Sequence, residues 1–382
     1  MNDQQLLRQL VGFDSVSRNS NLPIADFLCE YLDRPGVGVQ RNPSPDGTKT
    51  NVVIAFGPDT DEHRHGLVLS GHMDVVPADE EGWLSDPFAL AENGDALAGR
   101  GSCDMKGFLA IAANAAARLD LTKLLYPLVL VFTYDEEVGT IGAKHLADTW
   151  PDAETLPRSA IIGEPTSLRV IRMHKGHVNL RFTVEGVPAH SGYPHLGVNA
   201  IEPVGRMIVA LADLRRELEQ ETPEHREFFP EVPYVPLNVA QVGGGVAVNV
   251  VPDHCELHAG FRLLPGMEAT PILDRIRTAL DNALGDSRYD MQVLCESPPM
   301  LLDDQAHIYR TACQQVEQAD THSASYATDA GWLQTMGLEC VIWGPGSIEV
   351  AHKPNESIPI SEMRRGSELV ERVIERHCLT PK

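Results

Sequence analysis

Basic residues are in short supply. Lysine and arginine total 31 against 54 aspartates and glutamates in 382 residues, a formal net charge of −23. Nucleic acid and anionic membrane surfaces both need basic patches on the protein that binds them, so neither is expected as a partner. Acidity by itself names no substrate, because some of the carboxylates can serve a metal. No apolar run approaches the roughly 20 residues that span a bilayer. The opening stretch MNDQQLLRQLVGFDSVS lacks a basic segment followed by an apolar core, so no signal peptide is expected. The 7 cysteines, Cys29, Cys103, Cys255, Cys295, Cys313, Cys340 and Cys378, are odd in number, irregularly spaced and without a C-x-x-C pair. That pattern argues against a disulfide framework and for free thiols in a reducing compartment. A cytoplasmic protein is the expectation. The G-x-S-x-G elbow of serine hydrolases is also missing. Asp104 follows Gly99-x-Gly101, and Glu349 follows Gly344-x-Gly346, where the third glycine of a dinucleotide fingerprint belongs.

What is present is an ordinary globular composition, with 43% hydrophobic residues. Single cores stop growing near roughly 250–300 residues, so two domains are expected. Up to about Glu164 the pattern alternates. Gln4 to Leu10, Ile24 to Leu32 and Phe108 to Leu119 have helical spacing, and Ile141 to Leu146 opens another helix. Val52 to Phe56, Gly66 to Ser70 and Leu128 to Tyr134 read as strands, and LVLVFTY, apolar on both faces, should be central and buried. The middle third reads as strand His177 to Glu185, helix Asn199 to Leu218, strands Leu237 to Val242 and His254 to Leu263, a helix opened by Thr270-Pro271, and strand Asp290 to Cys295. This β-α-β-β-α-β order is a split βαβ unit able to form its own domain. The expected fold is therefore α/β. A catalytic domain in two pieces, residues 1–175 and 296–382, carries a mixed, largely parallel sheet, and a ferredoxin-like domain at residues 176–295 is inserted between them.

Four segments set acids or histidines just past strand ends, where open α/β sheets bind ligands. The first is Ser70-Gly71-His72-Met73-Asp74. Residues two apart share a strand face, so Asp74 is placed to hold the far nitrogen of His72, as a metal-bound imidazole requires. Taken alone, H-x-D is more often a core histidine beside a turn aspartate. In the second segment Asp104 lies between a Gly-rich loop and a helix, where it can bridge two cations or simply cap the helix. The third is Asp135-Glu136-Glu137. Charges beside a core are costly unless paired or metal-bound, and successive residues point apart, so one glutamate can bind a metal while its neighbour moves a proton. A solvated acidic turn is the plain alternative. The fourth is Gly163-Glu164-Pro165. Downstream, His352 sits in the loop Ala351-His352-Lys353-Pro354. Two imidazoles and three carboxylates suffice for two N/O sites sharing one bridging carboxylate, a set that suits a zinc-type pair. On CELHAGFRL, Arg262 falls on the polar face of a strand, free to fork onto a carboxylate or merely to be solvated.

With these motifs in order, the chain resembles the co-catalytic metallopeptidase family, whose members include N-acyl-amino-acid deacylases. SGHMDVVP, GRGSCDMKG, TYDEEVGTIGA, IIGEPTS, AHSGYPHLGVNAIE, NVVPDHCELHAGFRLLPGM and GPGSIEVAHKPNE carry the resemblance, and they span nearly the whole chain. The resemblance implies two divalent metal ions, zinc first, with cobalt or manganese as alternatives. His72 and Glu164 would bind one, Glu137 and His352 the other, with Asp104 bridging and a cis peptide between Asp104 and Met105. It further implies that Asp74 orients His72, Glu136 is the general base and acid, His190 stabilises the oxyanion, and Asn249 and Arg262 approach the substrate. The inserted domain would be a lid and the contact of a homodimer, with His190 serving the partner's site. IIGEPTSL, HKGH, CELHAGFRLLPGM and GPGSIEVAHKPNE are most similar to the acetylornithine deacetylase branch, which implies N-acetyl-L-ornithine as the substrate. The stretch Tyr193-Pro194-His195-Leu196 looks more like the succinyl-diaminopimelate desuccinylase branch. Other N-acyl-amino-acid deacylases, and a non-catalytic metal- or ligand-binding relative, are the remaining alternatives.

Overall fold

The computed structural model describes residues 1–58 and 62–381; Lys382, the expected end of the catalytic domain, lies outside them. The chain forms two compact units. The larger comprises Met1–Met173, Leu302–Ser323 and Thr328–Lys382, and the smaller His174–Leu301 with Ala324–Ala327.

The larger unit is built on a mixed sheet. Among the described residues, six of its nine strands lie side by side in the order Val37–Pro43, Thr50–Phe56, Leu128–Thr133, Leu67–His72, Ser159–Ile162 and Glu339–Ile342. The last four run parallel to one another, and the first two join antiparallel. Leu128–Thr133 and Leu67–His72 are buried along their whole length. That is what a strand covered by helices on both faces requires, and what an uninterrupted apolar run supplies. The edge strand Val37–Pro43 is mostly exposed and has no apolar alternation, so its sequence carries no strand signal. Helix Lys106–Arg118 packs on Leu67–His72 and Leu128–Thr133 and is flanked by helices Asp3–Val11 and Ile360–Ile374. Its alanines keep it slim enough to be buried from Lys106 to Ala116. Its Phe108 ring leaves no room at Gly163, where an added Cβ would lie 1.9 Å from the ring. Only glycine passes there, and it leads directly into Glu164.

The smaller unit runs β-α-β-β-α-β. Its sheet order is Leu237–Gly244, His254–Leu263, Gly176–Glu185, Asp290–Ser297, with every neighbouring pair antiparallel. In the two central strands alternate residues are buried, among them Val178, Leu180, Phe182, Leu257 and Phe261. Burying a side chain of this size stabilises by about 1.5–3 kcal/mol. Helix Ile201–Leu218 packs on this sheet and on helix Ala269–Leu284. Among the described residues no helix is long and apolar enough to cross a membrane.

Candidate metal centre

Four parallel strands deliver their C-terminal ends to one place. His72 is the last residue of Leu67–His72, Glu136 and Glu137 follow Leu128–Thr133, Glu164 follows Ser159–Ile162, and His352 lies in the loop after Glu339–Ile342. Asp104 arrives from the turn before helix Lys106–Arg118. That turn passes through Gly101 at φ +78°, where a Cβ would also meet Val75 at 2.6 Å. The Asp104–Met105 peptide is cis.

Two three-residue groups result, His72–Asp104–Glu164 and Asp104–Glu137–His352, each with ligand atoms within 4.8 Å of one another. Asp104 belongs to both. Its Oδ1 lies 3.1 Å from His72 Nε2 and its Oδ2 3.3 Å from His352 Nε2, which in turn is 3.0 Å from Glu137 Oε2. The donor set fits divalent cations on a further ground. Glu137 Oε1 and Glu164 Oε1 are buried without a hydrogen-bond partner, and a buried carboxylate oxygen is costly unless something positive meets it. Burial and the nearby Asp104 push Glu164 well above the usual carboxylate range, and the same two causes bring Glu137 up to about 7. Burial also raises Asp104, but hydrogen bonds from His352 and His72 outweigh it and leave that group well below its ordinary value. Glu136 lies beside the cluster but in neither ligand group; burial and Glu164 raise it well above the usual range.

Asp74 departs from the period-two expectation. His72 Nδ1 faces the Asp74 backbone carbonyl at 2.9 Å, while the Asp74 carboxylate stands 3.7 Å away. That carboxylate accepts the N–H of Glu136 (3.1 Å) on one oxygen and, on the other, the N–H of Glu137 (3.2 Å) and the Ser17 hydroxyl (2.7 Å). The strand ends at His72 and Val75 pairs with Val16 instead, so face alternation no longer governs where Asp74 points. Asp74 positions the glutamate pair with its side chain and His72 with its backbone.

The other predicted residues lie in the smaller unit. His190 pairs in register with Val250, is exposed, and accepts the Gly192 N–H on Nδ1 at 3.0 Å. Ser191 N–H donates to the Asn249 carbonyl at 3.0 Å, so the two predicted segments adjoin. Arg262 is opposite His177 in register and half-buried, and it lines a cleft of about 360 Å³ with Asn179, Asn238 and His258.

Sequence reasoning missed three residues around the centre. Asp329 is 1% exposed, accepts the Thr133 hydroxyl, and is pushed up to about 6 by burial. Its only sequence signal is an acid ahead of the short helix Ala330–Thr335, a commonplace. Arg100 and Glu356 form a fully buried ion pair. Each stands within a segment already singled out, but nothing in the spacing links them.

Residues 68–376 match the family model described as Peptidase family M20/M25/M40. Acetylornithine deacetylase of Proteus mirabilis (strain HI4320) is 34% identical over 387 residues, covering 99% of this chain and 97% of that protein. The acetylornithine deacetylase of Pectobacterium carotovorum subsp. carotovorum (strain PC1) is 34% identical over 384 residues, covering 98% and 97%. Among solved structures, the M20 family metallo-carboxypeptidase Sso-CP2 from Sulfolobus solfataricus superposes with a TM-score of 0.78 at 16% identity, covering 98% of this chain and 99% of that one.

Proposed function

Because this chain belongs to peptidase family M20/M25/M40, we propose that it is a di-metal amidohydrolase that removes the acetyl group from N-acetyl-L-ornithine, giving ornithine and acetate. The observation that carries this reading is the pair of ligand groups sharing Asp104. The substrate rests on the nearly full-length similarity to acetylornithine deacetylases. In a cytoplasmic enzyme of arginine biosynthesis, the acidic charge and free thiols described above are in keeping with the setting.

In this reading His72 and Glu164 would hold one divalent ion and Glu137 and His352 the second, with Asp104 shared between the two groups. Zinc suits the mixed imidazole and carboxylate donors, and cobalt or manganese would also be accepted. Metal ions in such a pair polarise a carbonyl and lower the pKa of water. Glu136, bound to neither ion, takes a proton from the attacking water as its oxygen adds to the acyl carbon. When the C–N bond breaks, Glu136 gives that proton to the leaving amine. Asp74 keeps Glu136 in place through its amide. Arg262 forks onto the substrate carboxylate with Asn249 nearby, and His190 donates to the developing oxyanion. The smaller unit is the ferredoxin-like lid and the contact of a homodimer, and each site receives its His190 from the partner subunit.

The segment Tyr193–Leu196 favours a second reading, hydrolysis of N-succinyl-diaminopimelate. A side-by-side rate comparison on N-acetylornithine, N-acetylcitrulline and N-succinyl-diaminopimelate decides between them. N-acetylornithine is expected to turn over fastest. Much faster turnover of the succinyl substrate would sink the deacetylase assignment and leave the reaction class standing.

A further inference from the structure

We infer that Arg100 and Glu356 are positioning residues for the metal centre, a buried clasp that sets the loops bearing Asp104 and His352 at the separation one cation needs. The inference rests on the di-metal reading above. Both residues are 1% exposed, and neither belongs to a ligand group. Glu356 Oε1 accepts the backbone N–H of Cys103 at 3.0 Å and of Asp104 at 2.9 Å, while its Oε2 accepts Arg100 Nη1 at 2.9 Å. The amide of the shared ligand is thus held by a side chain from the His352 loop.

Arg100 extends the connection. Its Nη1 also reaches the Lys353 carbonyl at 3.3 Å, and its Nη2 reaches the Pro77 carbonyl at 2.9 Å and the Glu80 carboxylate. The guanidinium carbon lies 5.0 Å from the centre of the Trp83 ring. Pro77, Glu80 and Trp83 follow His72 and Asp74 in the chain. One guanidinium, carried on the turn into Asp104, therefore reaches both the loop after His72 and the loop of His352. A planar fork divides these contacts between two nitrogens in fixed geometry, whereas an ammonium has three donors on a single atom.

The clasp matters most for His352. That side chain is 49% exposed, so packing does not place it, and its backbone is in the left-handed region at φ +61°. Its position is inherited from its loop, and the Glu356 carboxylate ties that loop to the Asp104 amide. Buried ion pairs add little net stability because desolvation offsets the attraction. Geometry is the better account of this one.

The test is calorimetric titration of the metal-stripped protein with Zn²⁺, with thermal unfolding of the same metal-free samples and Co²⁺ absorption spectra alongside. Wild type should take up two ions. In Glu356→Gln one binding step should weaken by about 10–100-fold, the usual cost of losing a partner behind the ligands. It should be the same step that His352→Ala abolishes, with its Co²⁺ bands altered. Arg100→Lys keeps the charge and loses the fork. It should weaken the same step, and it carries the test if Glu356→Gln does not fold. Wild-type affinity at both steps in folded variants, whatever their melting temperature, would overturn the clasp. Uptake of fewer than two ions by the wild type would instead overturn the di-metal reading.

Discussion

The two units place their chemistry in opposite settings. In the larger, five ligand candidates from four strand ends and one turn converge, and all but His352 are largely withdrawn from water. In the smaller, His190 and Asn249 are exposed, and Arg262 stands half-buried on a sheet face, in no ion pair among the described residues. The reason is physical. Carboxylates crowded together in a core must take up protons or meet a resident positive charge, so a candidate metal site of this kind is built in advance and shows in the fold. Groups proposed to meet a passing substrate would have to keep their hydrogen-bonding capacity open to it, and so would look like ordinary surface.

The largest expected effect tests the division of labour inside the cluster. Glu136→Gln should lower kcat by about 10²–10⁴-fold, the usual contribution of a positioned acid–base group, and metal analysis should still find two ions per chain. Glu137→Gln should lose metal as well as activity. Equal metal loss in both would show that base and ligand are not separate roles. A somewhat smaller effect tests whether the exposed surface belongs to the site at all. His190→Ala should lower kcat by about 10²–10³-fold, as removal of one oxyanion donor does. Mixed with Glu136→Gln under conditions of subunit exchange, it should regain activity, because one site of the mixed dimer has both residues intact. Silence despite demonstrated exchange would end the model in which His190 acts across the dimer.

The smallest effect concerns stability of the smaller unit. His174 is fully buried, with Nδ1 facing the Lys175 carbonyl at 2.9 Å, and burial lowers it from 6.5 to about 4. Between those values the folded protein keeps His174 neutral while the unfolded chain protonates it. The unfolded state then binds more protons, so stability falls as pH drops from 6.5 towards 4, by at most about 1.4 kcal/mol per pH unit. Urea midpoints at pH 7 and pH 5 measure the slope, and His174→Gln should flatten it. An unchanged slope would mean that other groups govern the acid response.

Much of the frame was legible beforehand, and its failures are specific. The buried strand Leu128–Thr133 announced itself by being apolar on both faces, whereas the polar edge strand Val37–Pro43 offered no period to read. The residues of the candidate centre stood out because acids and histidines followed apolar strands. Asp74 was read with the right neighbour and the wrong atom, because alternation stops where the strand stops. Asp329 and the Arg100–Glu356 pair went unseen. An acid ahead of a short helix is too common to mark a site, and no local pattern joins residues 256 positions apart.

The sequence by itself therefore determined the α/β alternation, the β-α-β-β-α-β segment and the supply of ligand-type residues at strand ends. Periodicity and polarity are local properties of a chain, and these features depend on nothing else. Tertiary structure alone decided which oxygen of Asp104 faces which imidazole, that the Asp74 carboxylate turns to the glutamate amides, and that Glu356 grips the Asp104 loop. Those are contacts between loops remote in sequence, and their pairing is set by how the strands and helices pack beneath them.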